Sequence, residues 1–152
     1  MLRGLNALTL DAKGRFAIPS RYRECLQDDD SSGLLILTIN TEERCLWLYP
    51  DRVWQEIEKK LIELPSFHPA ARRIQRLLIG HATELEMDRS GRVLLPALLR
   101  EYAGLDKSIM MVGQGNKFEI WCADQWRSAR EAWLADGVHE DDIPGELQSI
   151  SL

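Results

Sequence analysis

Long apolar runs, paired cysteines and clustered histidines are what this chain lacks. No stretch approaches the roughly 20 apolar residues that a membrane-crossing helix needs. Arg3, Asn6 and Asp11 interrupt the N-terminal segment where a secretory signal would carry its apolar centre, so a cytoplasmic location is expected. Cys25, Cys45 and Cys122 are odd in number and form no CxxC pair, which supports neither a disulfide framework nor a zinc site; they read as reduced packing residues. His68, His81 and His139 are equally scattered. No metal and no cofactor are expected. A P-loop, a dinucleotide fingerprint, a nucleophile elbow and a His-rich metal motif are all missing, which removes the commonest enzyme classes.

What is present is enough apolar material for a core: 45% of the 152 residues are hydrophobic, in a chain long enough for one domain or two mutually dependent halves. The net charge of −5 argues against nucleic acid only as an average. Residues 1–24 carry Arg3, Lys13, Arg15, Arg21 and Arg23 against Asp11 and Glu24, whereas the C-terminal acids Asp136, Glu140, Asp141, Asp142 and Glu146 have no nearby cation. The basic surface is local and N-terminal.

One short signature occurs twice, as Asp11-Ala12-Lys13-Gly14-Arg15-Phe16-Ala17-Ile18-Pro19 and as Asp88-Arg89-Ser90-Gly91-Arg92-Val93-Leu94-Leu95-Pro96. Asp, Gly, Arg and Pro recur at identical spacing, with apolar residues filling the stretch between Arg and Pro in both copies, which marks an internal repeat. The match runs on at an offset of 77, where Tyr22-Arg23-Glu24-Cys25 meets Leu99-Arg100-Glu101-Tyr102. After a connector about five residues shorter in the second copy, Leu46, Leu48, Tyr49 and Trp54 meet Phe118, Ile120, Trp121 and Trp126 at an offset of 72.

Each half therefore reads strand, basic turn, strand, helix, connector, strand, helix. Residues 6–10 and 15–18 predict two short strands around a turn, repeated at 82–87 and 92–95. Gly14 and Gly91 supply the positive φ for a tight reversal, and Asp11 and Asp88 can accept from turn amides two or three residues on. Pro19 and Pro96 suit the first position of short helices, the first with Tyr22, Cys25 and Leu26 as its apolar face. Residues 34–39 with 46–49, and 109–112 with 118–121, predict two further hairpins, and the whole predicts a small mixed barrel. Asp51 and Asp124 are candidate caps of two amphipathic helices. Pro69 should start a helix that Gly80 stops, with Ile74, Leu77 and Leu78 inward and Arg72, Arg73 and Arg76 on a solvated or interface face.

Arg15 and Arg92 occupy matching turn edges, from which an arginine on a rigid two-stranded element can donate twice to guanine or pair with phosphate. Lys13 and Arg89 add a flanking charge in each copy. The bland alternative is a surface salt bridge that closes each turn, Asp11 with Arg15 and Asp88 with Arg92. Two equivalent basic turns and a basic N-terminal segment favour recognition of nucleic acid. An Asp11/Asp88 proton-sharing dyad is disfavoured, because neither lies in an Asp-Thr-Gly or Asp-Ser-Gly setting and Lys13, Arg15 and Arg92 would keep both carboxylates ionised.

These turns, together with Cys45-Leu46-Trp47-Leu48-Tyr49-Pro50, Arg72-Arg73-Ile74-Gln75-Arg76-Leu77-Leu78-Ile79-Gly80-His81-Ala82 and Val112-Gly113-Gln114-Gly115-Asn116-Lys117-Phe118-Glu119-Ile120-Trp121, resemble MraZ proteins over nearly the whole chain. The resemblance implies a mixed α/β (α+β) protein, a pseudo-two-fold swapped-hairpin AbrB-like β-barrel of two tandem repeats with flanking helices, in subunits joined into a homo-oligomeric ring. It implies a DNA-binding transcriptional regulator, a repressor by default, of the bacterial division and cell-wall gene cluster. Such a protein would bind double-stranded promoter DNA at short direct repeats and associate with the nucleoid. The main DNA contact implied maps onto Lys13 and Arg15, with Arg3 a helper; Ser90 departs from the pattern in the second turn. The expected division is a first repeat over 1–65, a linking helix over 66–80, a second repeat over 81–135 and an acidic tail over 136–152. The alternative function is a ring-forming scaffold for a protein partner.

Overall fold

The computed structural model describes residues 1–27, 33–137, 139 and 143–151. Eight strands alternate with six helices among them: β1 Leu2–Thr9, β2 Arg15–Ala17, α1 Ser20–Gln27, β3 Leu34–Ile39, β4 Leu46–Pro50, α2 Asp51–Ile62, α3 Pro69–His81, β5 Thr83–Glu86, β6 Arg92–Leu94, α4 Ala97–Tyr102, β7 Ser108–Gly115, β8 Phe118–Cys122, α5 Ala123–Asp136 and α6 Gly145–Gln148.

The chain is a mixed α/β protein built on an antiparallel sheet. Six strands lie in the order β1-β7-β8-β4-β3-β5, and β2 pairs with β6 in a separate two-stranded ribbon. The order maps onto itself when the repeats are exchanged, with the pseudo-two-fold between β4 and β8. The two hairpins predicted in the connectors form, β3 with β4 and β7 with β8. The strands flanking each basic turn do not pair with each other. Instead β1 joins β7 and β5 joins β3, so each repeat supplies the edge strand of the other. The expected closed barrel gives way to an open sheet capped by the ribbon, because β1 and β5 stay at the two edges of the ladder. The two repeats are thereby interleaved, and neither has a complete sheet alone.

Strand alternation decides what lies on each face. Leu35, Leu37, Ile39, Leu46, Leu48, Phe118 and Ile120 face inward onto one core with Phe16, Ile18, Val93, Leu95 and Leu99. The intervening residues face outward under helices: Ile36 and Tyr49 against Trp54 of α2 and Leu78 of α3, and Trp121 and Val112 against Trp126 and Ala129 of α5. Burial on both faces explains why these strands are nearly continuous hydrophobic runs. Each fully buried aliphatic or aromatic side chain contributes about 1.5–3 kcal/mol, so the ribbon is held by Phe16 and Val93 rather than by its three-residue ladder.

Several local expectations are corrected. Pro19 and Pro96 sit one residue before their helices, where their carbonyls accept the first helical bonds from Tyr22 and Leu99. Asp51 and Asp124 lie inside the first turns of α2 and α5 and cap neither; Asp51 accepts from Gln55 Nε2 at 2.6 Å, and Asp124 pairs with Arg127. Gly80 does not stop α3, which runs one residue further to His81 and ends where Ala82 turns extended. His68, not singled out beforehand, caps that helix by accepting from the Ala70 amide. Ile74 and Cys25 are exposed, whereas Tyr22, Leu26 and Cys45 are buried. Within the acidic tail, residues 138, 140–142 and 152 lie outside the described residues, and α6 forms over Gly145–Gln148.

Candidate nucleic-acid interface

The two basic turns are built from the same hydrogen bonds. Asp11 Oδ1 accepts from the Lys13 and Arg15 amides, both at 2.9 Å, while Oδ2 accepts from Arg15 Nε at 2.8 Å. Asp88 Oδ1 accepts from the Ser90 amide at 2.8 Å and the Arg92 amide at 2.9 Å, and Oδ2 accepts from Arg92 Nε at 2.9 Å. The aspartates thus reach amides two and four residues on, rather than two or three. The backbone closes each turn as well, with the Gly14 amide donating to the Asp11 carbonyl at 3.0 Å and the Gly91 amide to the Asp88 carbonyl at 2.9 Å.

These donors stabilise the ionised carboxylates. The Arg15 amide above all, with the Arg15 guanidinium and the Lys13 amide behind it, holds the Asp11 carboxyl at about 2 against an ordinary 3.8. The Arg92 amide likewise leads in lowering Asp88. Both groups are solvent-exposed, so this is local organisation of the turn and not a large stability term.

The salt bridges predicted as the bland alternative are real, yet they engage only Nε of each arginine. Among the described residues no hydrogen bond is made by the Nη groups of Arg15 or Arg92, which leaves an end-on pair of donors on each guanidinium. Tethering and recognition are therefore compatible: the aspartate fixes the arginine's direction and its outer edge stays free.

The ribbon register places both arginines on one face. Arg15 opposes Leu94 and Ala17 opposes Arg92, so all four side chains project together, while Phe16 and Val93 project into the core at 2% and 1% exposure. Arg15 and Arg92 are diagonal neighbours, about 7–8 Å apart at the backbone. Lys13 and Arg89 are exposed at the tips of the turns.

Two further arginines that sequence reasoning left unassigned complete the arrangement. Arg100 of the second repeat lies over Gly14 of the first turn, and Arg23 of the first repeat lies over Gly91 of the second. A Cβ at Gly14 would come within 2.6 Å of Arg100 Cζ, and one at Gly91 would fall closer still to the Arg23 guanidinium. Both glycines also hold positive φ, 86° and 74°, which L side chains rarely adopt. Arg23 Nε donates to the Ile18 carbonyl at 2.5 Å, and Arg100 Nε to the Leu95 carbonyl at 3.0 Å. The crossing is reinforced by the Ile18 amide on the Gly91 carbonyl and the Leu95 amide on the Gly14 carbonyl, both at 2.9 Å. Each turn is thus supported by the other repeat. The signal for this pair was available in the shared offset of 77.

Turns, ribbon and supports carry Lys13, Arg15, Arg23, Arg89, Arg92 and Arg100 against Asp11 and Asp88, so a basic surface sits on an acidic chain. Arg3 is not part of it. It lies near the far end of β1, opposite Gln114, and eight residues separate it from Asp11, roughly 25 Å of extended chain. Arg21 donates to Asn6 Oδ1 and the Tyr22 hydroxyl beside the same strand. Arg72 donates to the Ser66 carbonyl, and with Arg73 and Arg76 it belongs to α3, which covers the outer side of the sheet. Among the described residues no three His, Cys, Asp or Glu side chains come together as a metal site, and no helix is long and apolar enough to cross a membrane.

The family model "MraZ protein, putative antitoxin-like" matches this chain twice, over residues 1–77 and 78–138. Similar curated proteins carry the name transcriptional regulator MraZ. One from Coxiella burnetii (strain Dugway 5J108-111) is 60% identical, one from Legionella pneumophila (strain Corby) 56%, and one from Halorhodospira halophila 52%, each covering 100% of both chains. With two matched segments spanning most of its length and relatives this similar from end to end, the chain belongs to the MraZ family, a family of transcriptional regulators and not of enzymes.

Proposed function

We propose that the β2–β6 ribbon is the DNA-reading element, and that Arg15 and Arg92 enter the major groove from its outer face. The single observation that carries this reading is that both guanidinium groups are aimed from one face by equivalent aspartates while their Nη donors stay unengaged. Such a free edge suits O6 and N7 of guanine or a phosphate oxygen. Lys13 and Arg89 supply flanking phosphate contacts. Arg3, remote from the ribbon, contributes at most to the outer backbone of a longer site.

In this reading the regulated DNA is the promoter of the division and cell-wall gene cluster, recognised at short direct repeats, with repression as the outcome. The protein acts in the cytoplasm at the nucleoid. A homo-oligomeric ring of subunits would repeat the ribbon along the duplex, and linked weak contacts raise effective concentration enough for an acidic protein to bind firmly. The interleaved AbrB-like repeats, with swapped hairpins, span 1–65 and 81–135, joined by the helix over 66–80 and followed by the tail over 136–152.

The test is fluorescence anisotropy of wild type and Arg15→Ala on a promoter fragment carrying the repeats, across salt concentrations, with assembly size followed by light scattering. Binding that prefers the repeats to scrambled DNA and weakens with salt supports the reading, provided Arg15→Ala loses affinity at unchanged size. A second reading, a scaffold for a protein partner, is favoured by the exposed Ile62, Phe67, Trp133 and Leu134. It takes precedence if both proteins ignore the repeats or if Arg15→Ala breaks the assembly.

A further inference from the structure

The pseudo-two-fold offers an internal control for every feature of one repeat, and at one place the halves differ in filling. Tyr102 at the end of α4 packs against the main core, donates from its hydroxyl to the Asn40 carbonyl at 2.5 Å, and carries the Arg44 guanidinium 4.7 Å over its ring. Cys25 stands at the equivalent position of α1, at the offset of 77. The carbonyl equivalent to that of Asn40 is Gln114's, because the Asn40 amide donates to Cys45 and the Gln114 amide to Lys117 across corresponding hairpins. Beside Cys25 the structure has a cavity of about 440 Å³, whose lining includes Leu2, Leu26, Val53, Arg52, Gln114 and Asn116.

We infer that this cavity is a binding site for a small hydroxyaryl ligand, which would take the place in the first repeat that the Tyr102 phenol occupies in the second. Three observations support the assignment. The volume lies within the range of about 300–1,000 Å³ typical of small-molecule sites. The walls are mainly apolar, with few polar groups, as an aromatic ring requires. The Gln114 amide donates to Lys117, so the backbone groups of Gln114 face the β8 side and not β1; its carbonyl accepts the Asn116 amide there, at 3.2 Å, which leaves a second lone pair for a phenolic hydroxyl, as at Asn40. Cys25 places a much smaller side chain here than Tyr102 does in the second repeat.

The probe is 4-methylphenol, the tyrosine side chain as a free molecule, with toluene as the same shape without the hydroxyl. Saturation-transfer NMR on the full chain in its native assembly should show 4-methylphenol bound with a Kd on the order of 1 mM, and toluene at least fivefold weaker. Cys25→Tyr, which supplies the phenol covalently, should abolish the signal, and Cys25→Ser should keep it. Independently of any variant, 4-methylphenol should slow alkylation of Cys25 by N-ethylmaleimide about threefold or more, by simple occlusion of an exposed thiol, and leave Cys122 unchanged. No transfer to 4-methylphenol, equal transfer to toluene, a signal that survives in folded Cys25→Tyr, or unprotected Cys25 would each overturn the assignment. If the wild-type assembly ignores the phenol and Cys25→Tyr changes its size, the cavity receives a side chain of a neighbouring copy, and the small-ligand assignment is wrong.

Discussion

The first and second turns carry the same backbone and differ in where the charge sits. Five hydrogen bonds match to within 0.1 Å: three join Asp11 or Asp88 to the arginine four residues on, one takes the amide two residues on, and one takes the glycine amide. Lys13 faces Ser90 across the repeat, and Ala12 faces Arg89, so each turn holds one aspartate, one arginine and one further cation, displaced by one position. Total charge therefore does not separate the turns. What separates them is the type and place of the extra cation, a flexible ammonium after Ala12 against a planar guanidinium before Ser90. A shared frame carries two different contact patterns.

The sharpest way to break the frame is at its glycines. Gly91→Ala puts a Cβ into the Arg23 guanidinium at a positive φ and should cost more than Gly14→Ala, where Arg100 is somewhat further off. The backbone penalty alone is about 1–2 kcal/mol. A chain of this size loses about 2–4 °C of Tm per kcal/mol, so thermal unfolding should rank wild type above Gly14→Ala above Gly91→Ala.

Arginine substitutions separate the two contact patterns. Arg15→Ala should weaken operator binding about 10- to 100-fold, as expected for losing an arginine contact of roughly 1–3 kcal/mol. Arg92→Ala, with no lysine beside it in the turn, should cost less. Equal losses would make the two turns interchangeable readers, and a larger loss at Arg92 would invert the assignment. Anisotropy on one DNA fragment measures all three proteins.

A smaller effect should cross between the repeats. Arg100 supports the first turn and Arg23 the second, so Arg100→Ala should loosen Lys13 and Arg15 amides while Arg23→Ala loosens Ser90 and Arg92. Hydrogen exchange at those amides reads this directly. Exchange that rises in the turn of the same repeat would refute the crossing.

Acid gives the smallest and most graded comparison. Asp11 and Asp88 have folded pKa values below their unfolded ones, so their contribution is present above the ordinary carboxylate range and lost as pH falls through the folded values. Carboxyl chemical shifts should show both ionised above pH 5, with Asp11 protonating only near 2. Binding should consequently show no dependence on these aspartates between about pH 5 and 8.

Much of this was legible along the chain because it depends on local chemistry. The turn motif Asp-x-x-Gly-Arg specifies its own hydrogen bonds, since an aspartate can reach amides only a few residues on and only glycine tolerates the positive φ that follows. The connector hairpins β3–β4 and β7–β8 were equally readable from continuous apolar strands. Helix ends were less so. Asp51, Asp124 and Gly80 are residues that commonly cap or stop helices, but each outcome turned on whether Pro50, Cys122 and Ala82 took extended backbone angles.

The sequence by itself determined the duplication, the two tethered arginines and their separation from the acidic C-terminal end. Only the tertiary structure decided how the strands flanking the basic turns pair. Nothing local distinguishes β1 paired with β2 from β1 paired with β7, because any antiparallel partner of matching apolar pattern satisfies the same backbone groups. The choice was made by burial: Phe16 and Val93 reach a common core only if β2 and β6 meet across the pseudo-two-fold. That single pairing brings Arg15 and Arg92 to one face, although 77 residues of chain separate them.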